Sequence, residues 1–201
     1  MVDLLVATTN KGKIREIRTV LSGSIEGLRL FTPGDFGITI SPDETGETFL
    51  ENSIEKSVFY SQLKRGTLTI ADDSGLMVDS LNGSPGIRSA RYSGVNPDDR
   101  KNIIKLLTEL KNIRNRDAGF ISVITLSKDG KVIRSFNGEV RGKIIDDQRG
   151  NNGFGYDPIF YYEPLGKTFA ELSESMKSRI SHRSIALNKL KKYLKENPEL
   201  F

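Results

Sequence analysis

Directly after the apolar, β-type run Leu68-Thr69-Ile70-Ala71 stands Asp72-Asp73-Ser74-Gly75, two adjacent carboxylates and a hydroxyl at what reads as the end of a buried strand. Neighbouring carboxylates repel one another and are costly to remove from water, so a folded chain accommodates them where solvent or a cation compensates the charge. The carboxyl ends of strands are also where open α/β sheets collect their ligand-binding residues. A hard divalent cation such as Mg²⁺ suits such a place, because it takes oxygen ligands, keeps part of its water shell and is completed by substrate phosphates. An isolated Asp-Asp pair fits a turn with a capping aspartate as well. The rest of the chain has to decide.

The 201 residues suffice for one substantial core and are few for two independent ones, so a single bilobed domain over residues 1–201 is expected. Hydrophobic residues at 36% and charged residues at 28% describe a globular protein rather than a disordered or membrane-embedded one. No basic leader precedes Val2–Ala7, and no apolar run approaches the ~18 residues of a membrane span, which points to the cytoplasm and to no membrane partner. The absence of cysteine removes disulfides, thiolate metal sites and cysteine nucleophiles, and the single histidine, His182, leaves little room for zinc. Any metal must rest on carboxylates. The net charge of +4 and the pI near 9.2 fit an anionic ligand without separating a nucleotide from a nucleic acid.

Along the chain, the Val2–Ala7 run, the polar segment Thr8–Lys13 and then Ile14, Ile17 and Leu21 at helical spacing read as strand, loop and helix. Thr48-Phe49-Leu50-Glu51 has the capping-box pattern and opens a helix to about Leu63, with Leu50, Ile54, Val58 and Ser61 as its stripe. Thr67–Ala71 is the next strand, and Asn82–Gly86 forces a turn. Pro97-Asp98-Asp99 opens a helix through Ile103, Ile104, Leu107 and Leu110. Phe120–Leu126 and Lys131–Phe136 flank Asp129-Gly130, a strong hairpin signal, and Gly138–Ile145 gives another strand. A lysine-studded amphipathic helix through Ala186, Leu187, Leu190, Tyr193 and Leu194 ends the chain. With no repeat and no linker, helices and a mixed sheet share one body, an α/β fold.

Four further segments carry chemistry. Thr8, Thr9, Asn10, Lys11, Gly12 and Lys13 sit at a strand-to-helix junction, where backbone N–H groups attract phosphate and lysines add charge; the Walker spacing is absent, and a solvated polar loop fits as well. Between Asp43 and Glu55 lie Asp43, Glu44, Glu47, Glu51 and Glu55; most read as a solvated face, and Glu44, in the loop before the helix, is the one to pair with Asp73. Gly150 to Pro158 combines three glycines with Phe154 and Tyr156, flat faces on which a base can stack or anchors for a glycine-rich turn. Lys177, His182 and Arg183 set three polar donors at or before the start of the last helix.

Six pieces together resemble the inosine triphosphate pyrophosphatase family, the XTP/dITP diphosphatases. They are Ala7-Thr8-Thr9-Asn10 with Lys13 and Glu16; Glu44-Thr45-Gly46, Thr48-Phe49 and Glu51-Asn52 with Lys56; Ala71–Leu76; Pro85-Gly86 with Ser89–Tyr92; Gly153–Pro158; and Ile180–Arg183. They run in the family's order across nearly the whole chain. The resemblance implies an elongated mixed sheet flanked by helices, two lobes with a central cleft, and a homodimer. It also implies Mg²⁺-dependent hydrolysis of ITP, dITP and XTP to the monophosphate and pyrophosphate. By carry-over, Asp73 is the catalytic base, Glu44 and Asp73 hold the metal, Thr8–Lys13 hold the triphosphate and Ser74 touches substrate. Phe154, Gly155, Tyr156 and Asp157 with Lys177, His182 and Arg183 hold the base. Hypoxanthine and xanthine present an oxygen at position 6, where Arg183 or a protonated His182 can donate, whereas adenine presents a donor; such a site can discriminate by ~10⁴-fold.

Ser53 stands where the family usually has alanine, Ser175-Met176-Lys177-Ser178 replaces Glu-x-Lys-Asn, and Asp147–Gly150 lacks a common proline. None removes a residue with a proposed chemical role. The rival readings are a Maf-like nucleotide pyrophosphatase of other specificity and a basic nucleic-acid-binding module built on Lys189, Lys191, Lys192 and Lys195. Such charge runs are mostly solvated faces, so no nucleic-acid partner is expected.

Overall fold

The computed structural model describes residues 2–96 and 98–200; Pro97, read above as opening the third helix, lies outside them. Seven strands form one mixed sheet in the order β2-β1-β3-β4-β5-β6-β7. They are β1 (Val2–Val6), β2 (Leu28–Phe31), β3 (Leu68–Val78), β4 (Asp117–Lys128), β5 (Lys131–Ile144), β6 (Phe160–Tyr162) and β7 (Lys167–Thr168). Strand β1 runs parallel to β2 and β3, while β6 is antiparallel to β5 and β7. The helices are α1 (Lys11–Leu21), α2 (Phe49–Leu63), α3 (Asp99–Glu109), α4 (Glu174–Ile180) and α5 (His182–Glu196). The α/β class read from the sequence is therefore the observed one.

The chain divides into two compact units. One comprises Met1–Asp73, Ser122–Gly138 and Arg183–Phe201; the other comprises Ser74–Ile121 and Glu139–His182. In the first, Leu4, Val6, Leu68, Ile70, Ile124 and Leu126 from strands pack with Ile17 and Leu21 of α1 and Ala186, Leu187, Leu190 and Leu194 of α5. Burying each large side chain contributes roughly 1.5–3 kcal/mol, which ties both helices to the sheet. In the second, the Phe120 ring lies 4.6 Å from Phe160 and stacks on Phe169 and on the imidazole of His182.

Several elements depart from the sequence reading. The strand that carries the aspartates does not end at Ala71 but continues to Val78, because Leu76 and Val78 are themselves buried. Lys131–Ile144 is one 14-residue strand, not two, and Leu28–Phe31 is a strand the sequence pattern did not reveal. Helix α1 begins at Lys11, so Lys11, Gly12 and Lys13 form its first turn rather than a loop. The hairpin turn matches: Asp129 (φ 53°) and Gly130 (φ 78°) both take the left-handed conformation that a two-residue turn demands.

Helix α2 starts at the predicted capping box, with Thr48 and Glu51 exchanging bonds, but of the expected stripe only Ser61 is buried and the inward face is otherwise another one. Leu50 is 44% exposed, and the inward residues are Asn52, Ser53, Lys56, Ser57, Tyr60 and Ser61. Ser53 meets Thr125 at 2.7 Å, Ser57 meets Ser127 at 2.8 Å, and the Gly130 amide donates to Ser61 at 2.9 Å. Each serine also donates to a carbonyl of its own helix, so the hydroxyls are satisfied twice while remaining small. A hydroxyl stripe reads as solvent-facing by composition, and that misplaced the stripe. Ser53→Ala is expected to cost about 1 kcal/mol, since Thr125 keeps Ser135 at 2.8 Å; a urea midpoint shifted at unchanged m-value measures it.

Candidate active site

The first unit gathers Thr8–Lys13, Glu44, the two aspartates and Arg183 around buried charge. Asn10 caps α1, its side chain accepting from the Lys13 amide at 3.0 Å, and the Thr8 hydroxyl accepts from the Asn10 amide at 3.2 Å. This braces Thr8-Thr9-Asn10 ahead of the helix, whose first N–H groups, on Lys11 and Gly12, have no acceptor within the helix itself. The Lys13 side chain turns inward, its Nζ 2.9 Å from Asp72 Oδ2 and 3.2 Å from the Asp72 carbonyl.

Because side chains alternate along a strand, Asp72 and Asp73 leave β3 on opposite faces, and each finds its own cations. Asp72 accepts from Lys13, from Arg183 Nε at 3.1 Å and from the Ser122 hydroxyl at 2.5 Å. Arg183 Nη1 pairs with Glu16. The Asp72 and Arg183 side chains are 1% and 2% exposed. Burial would raise the Asp72 carboxyl, but the cations Arg183 and Lys13 outweigh it and hold the group well below the usual carboxylate range. Burial likewise works against the Arg183 cation, while Asp72 and Glu16 drive its pKa further up. Lys13 is lowered, desolvation prevailing over Asp72.

Asp73 faces α2. Its Oδ1 lies 2.8 Å from Lys56 Nζ, and its Oδ2 accepts from Asn52 Nδ2 at 3.3 Å. The same ammonium lies 3.3 Å from Glu44 Oε1, so Glu44 and Asp73 converge on one cation, and it also donates to the Asp72 carbonyl. Desolvation would lower the Lys56 pKa, yet Asp73 and Glu44 raise it on balance. Glu44 is presented by a braced loop. The Thr45 amide and hydroxyl donate to Glu55, the Gly46 amide to Asn52 Oδ1 and the Glu47 and Thr48 amides to Glu51. Two of the acids that read as a solvated face are therefore acceptors for this loop.

The second unit holds the glycine-rich segment. Asp157 is buried, accepting from the Phe154 amide at 2.9 Å and from the Lys177 ammonium. A Cβ at Gly153 (φ +78°) would fall on that carboxylate, which explains the glycine. Lys177 Nζ lies 5.0 Å from the Phe154 ring centroid and 5.6 Å from that of Phe169. The Gly155 amide donates to Asp99, and the Tyr156 hydroxyl donates to the Ser89 carbonyl, leaving Tyr156 buried and Phe154 half-buried. Ser74 is half-buried on β3 and His182 is buried against Phe120.

Sequence reasoning gave no role to Lys56, Asn52 or Glu16, which stand in the segments that carry the resemblance, and did not single out Ser122. Asn52 and Lys56 stand one helical turn apart on a helix whose cap adjoins Glu44, a spacing that could have flagged them. Ser122, polar in the middle of an apolar strand run, offered a similar signal.

The fold is a mixed α/β one whose charged site pairs carboxylates with lysine and arginine. The chain belongs to the Ham1 family, whose model matches residues 4–193. It is 45% identical over 195 residues to a Staphylococcus aureus (strain MW2) protein named dITP/XTP pyrophosphatase, covering 96% of this chain and 97% of that one. Among solved structures it resembles the Staphylococcus aureus Ham1 protein (42% identity, TM-score 0.86, 97% of this chain and 99% of that one). A HAM1 protein from Coxiella burnetii is similar too (37% identity, TM-score 0.87, 98% and 100%).

Proposed function

We propose that this protein is a nucleoside triphosphate pyrophosphatase that hydrolyses dITP, ITP and XTP to the monophosphate and pyrophosphate with Mg²⁺. The observation that carries this reading is the convergence of Glu44 and Asp73 on one cation beside the start of α1, in a chain 45% identical to a dITP/XTP pyrophosphatase. Among the described residues no group of three or more His, Asp or Glu is placed to hold a metal. Two carboxylates that already share an ammonium suit Mg²⁺, which keeps waters and takes phosphate oxygens for the rest. When bound, Mg²⁺ neutralises charge on the phosphates.

The chain's own residues supply the remainder. Asp73 takes the proton of the attacking water. The N–H groups at the start of α1, with Thr8, Thr9 and Asn10, receive phosphate oxygens, and the cations Lys13 and Lys56 add favourable potential. Ser74 touches the substrate. Phe154 offers a face to the base, Gly155 brings backbone close and Tyr156 anchors the segment. Lys177, held by Asp157, and His182 are donors toward an oxygen at position 6, a role that the family resemblance also gives to Arg183; such donors leave adenine, with its amino group at position 6, poorly matched. We also propose that the protein acts as a homodimer in the cytoplasm, without nucleic-acid or membrane partners; among the described residues no helix is long and apolar enough to cross a membrane.

A pyrophosphate-release assay over a nucleoside triphosphate panel, with and without Mg²⁺, tests the reading. Turnover of ITP, dITP and XTP well above ATP, and only with the metal, is expected. A preference for pyrimidine or modified nucleotides would favour the Maf-like alternative. Steeply salt-dependent oligonucleotide binding without turnover would favour the nucleic-acid module.

A further inference from the structure

We infer that Asn52 is a positioning residue, whose side-chain amide fixes the spacing between the loop that carries Glu44 and the carboxylate of Asp73. The inference rests on the reading of those two carboxylates as a metal-holding pair. Asn52 is 2% exposed and uses both ends of its amide: Oδ1 accepts from the Gly46 amide at 2.9 Å, and Nδ2 donates to Asp73 Oδ2 at 3.3 Å. An asparagine side chain accepts and donates with two fixed, divergent groups; a carboxylate lacks the donor and an ammonium the acceptor.

The loop is shaped for this contact. A Cβ at Gly46 would sit 2.6 Å from Glu51 Cβ and 2.8 Å from Asn52 Oδ1, so only glycine lets the backbone lie this close to α2. Lys56, one turn further along, also reaches Glu44 and Asp73, but through a flexible stem that supplies attraction without a set distance. Asn52 supplies the distance. Two carboxylates that must meet one small cation need such a brace, because their mutual repulsion otherwise opens the gap.

The test titrates Mn²⁺ into the full chain, following free Mn²⁺ by electron paramagnetic resonance, for wild type, Asn52→Ala, Gly46→Ala and the double variant. Loss of a group that orients a metal ligand weakens metal binding about 10–100-fold, and at least about tenfold is expected for each single variant. The double variant should be little weaker than the worse single one, since both break one link. In ITP hydrolysis the Mg²⁺ concentration for half-activation should rise by a larger factor than kcat at saturating Mg²⁺ falls, a split that general loosening of the fold does not produce. Wild-type Mn²⁺ affinity in both single variants overturns the inference and leaves the proposed function standing. Absence of Mn²⁺ binding by the wild type overturns the metal pair and the inference with it. Should Asn52→Ala fail to fold, Gly46→Ala, which keeps every side chain of the site, decides alone.

Discussion

Asp73→Asn is expected to lower ITP turnover by about 10²–10⁴-fold at saturating Mg²⁺, the usual contribution of a positioned general base. The carboxylate is 8% exposed and touches one ammonium and one amide donor, so it is fixed in direction before any substrate arrives. An asparagine can turn its single oxygen toward Lys56 or toward Asn52 but not toward both, and its NH₂ then faces a donor. That mismatch costs roughly 1–3 kcal/mol, a tolerable loss for a domain of this size. Circular dichroism and urea unfolding should therefore report a folded variant with a modestly lower midpoint, while single-turnover pyrophosphate release reports the chemical loss. Turnover within about threefold of wild type, against the range expected for such a base, would remove Asp73 from the role.

How much of this was legible in the sequence depends on how local each cause is. The α2 cap needs only Thr48 and Glu51, and the hairpin only Asp129-Gly130, so both stood out. The face that α2 buries is set by what the sheet presents, Thr125 and Ser127, and a pattern based on hydrophobicity turned the helix the wrong way. Strand β2 is four residues interrupted by Arg29, too short for any periodicity. Within the site, Glu44 was picked out as the acid to set beside Asp73, and the structure brings both to the Lys56 ammonium. The inward turn of Arg183 was not legible, because its partner Asp72 lies 111 residues away along the chain. The adjacent aspartates read as one repulsive pair, whereas the strand's alternation gives them separate surroundings. This second carboxylate makes Arg183 a structural cation as well as a candidate base reader.

The structural role has a measurable consequence: Arg183→Met is expected to destabilise the protein by about 3–5 kcal/mol, the cost of breaking a buried ion pair by removing one partner. Asp72 would keep Lys13 and Ser122, so most of the loss falls on Glu16, whose side chain is 11% exposed. Arg183→Lys should recover only part of it, because an ammonium cannot present two nitrogens in a rigid fork to Asp72 and Glu16 together. Neutralising the partner supplies the control. In the cycle of Arg183→Met with Glu16→Gln, the double variant should be more stable than the sum of the two single losses, by an amount that reports the coupling between the two charges. Urea unfolding of all four proteins gives that number. A loss below about 1 kcal/mol for Arg183→Met, the scale of a surface ion pair, would mean that the guanidinium carries no structural weight and that its two carboxylate contacts are incidental.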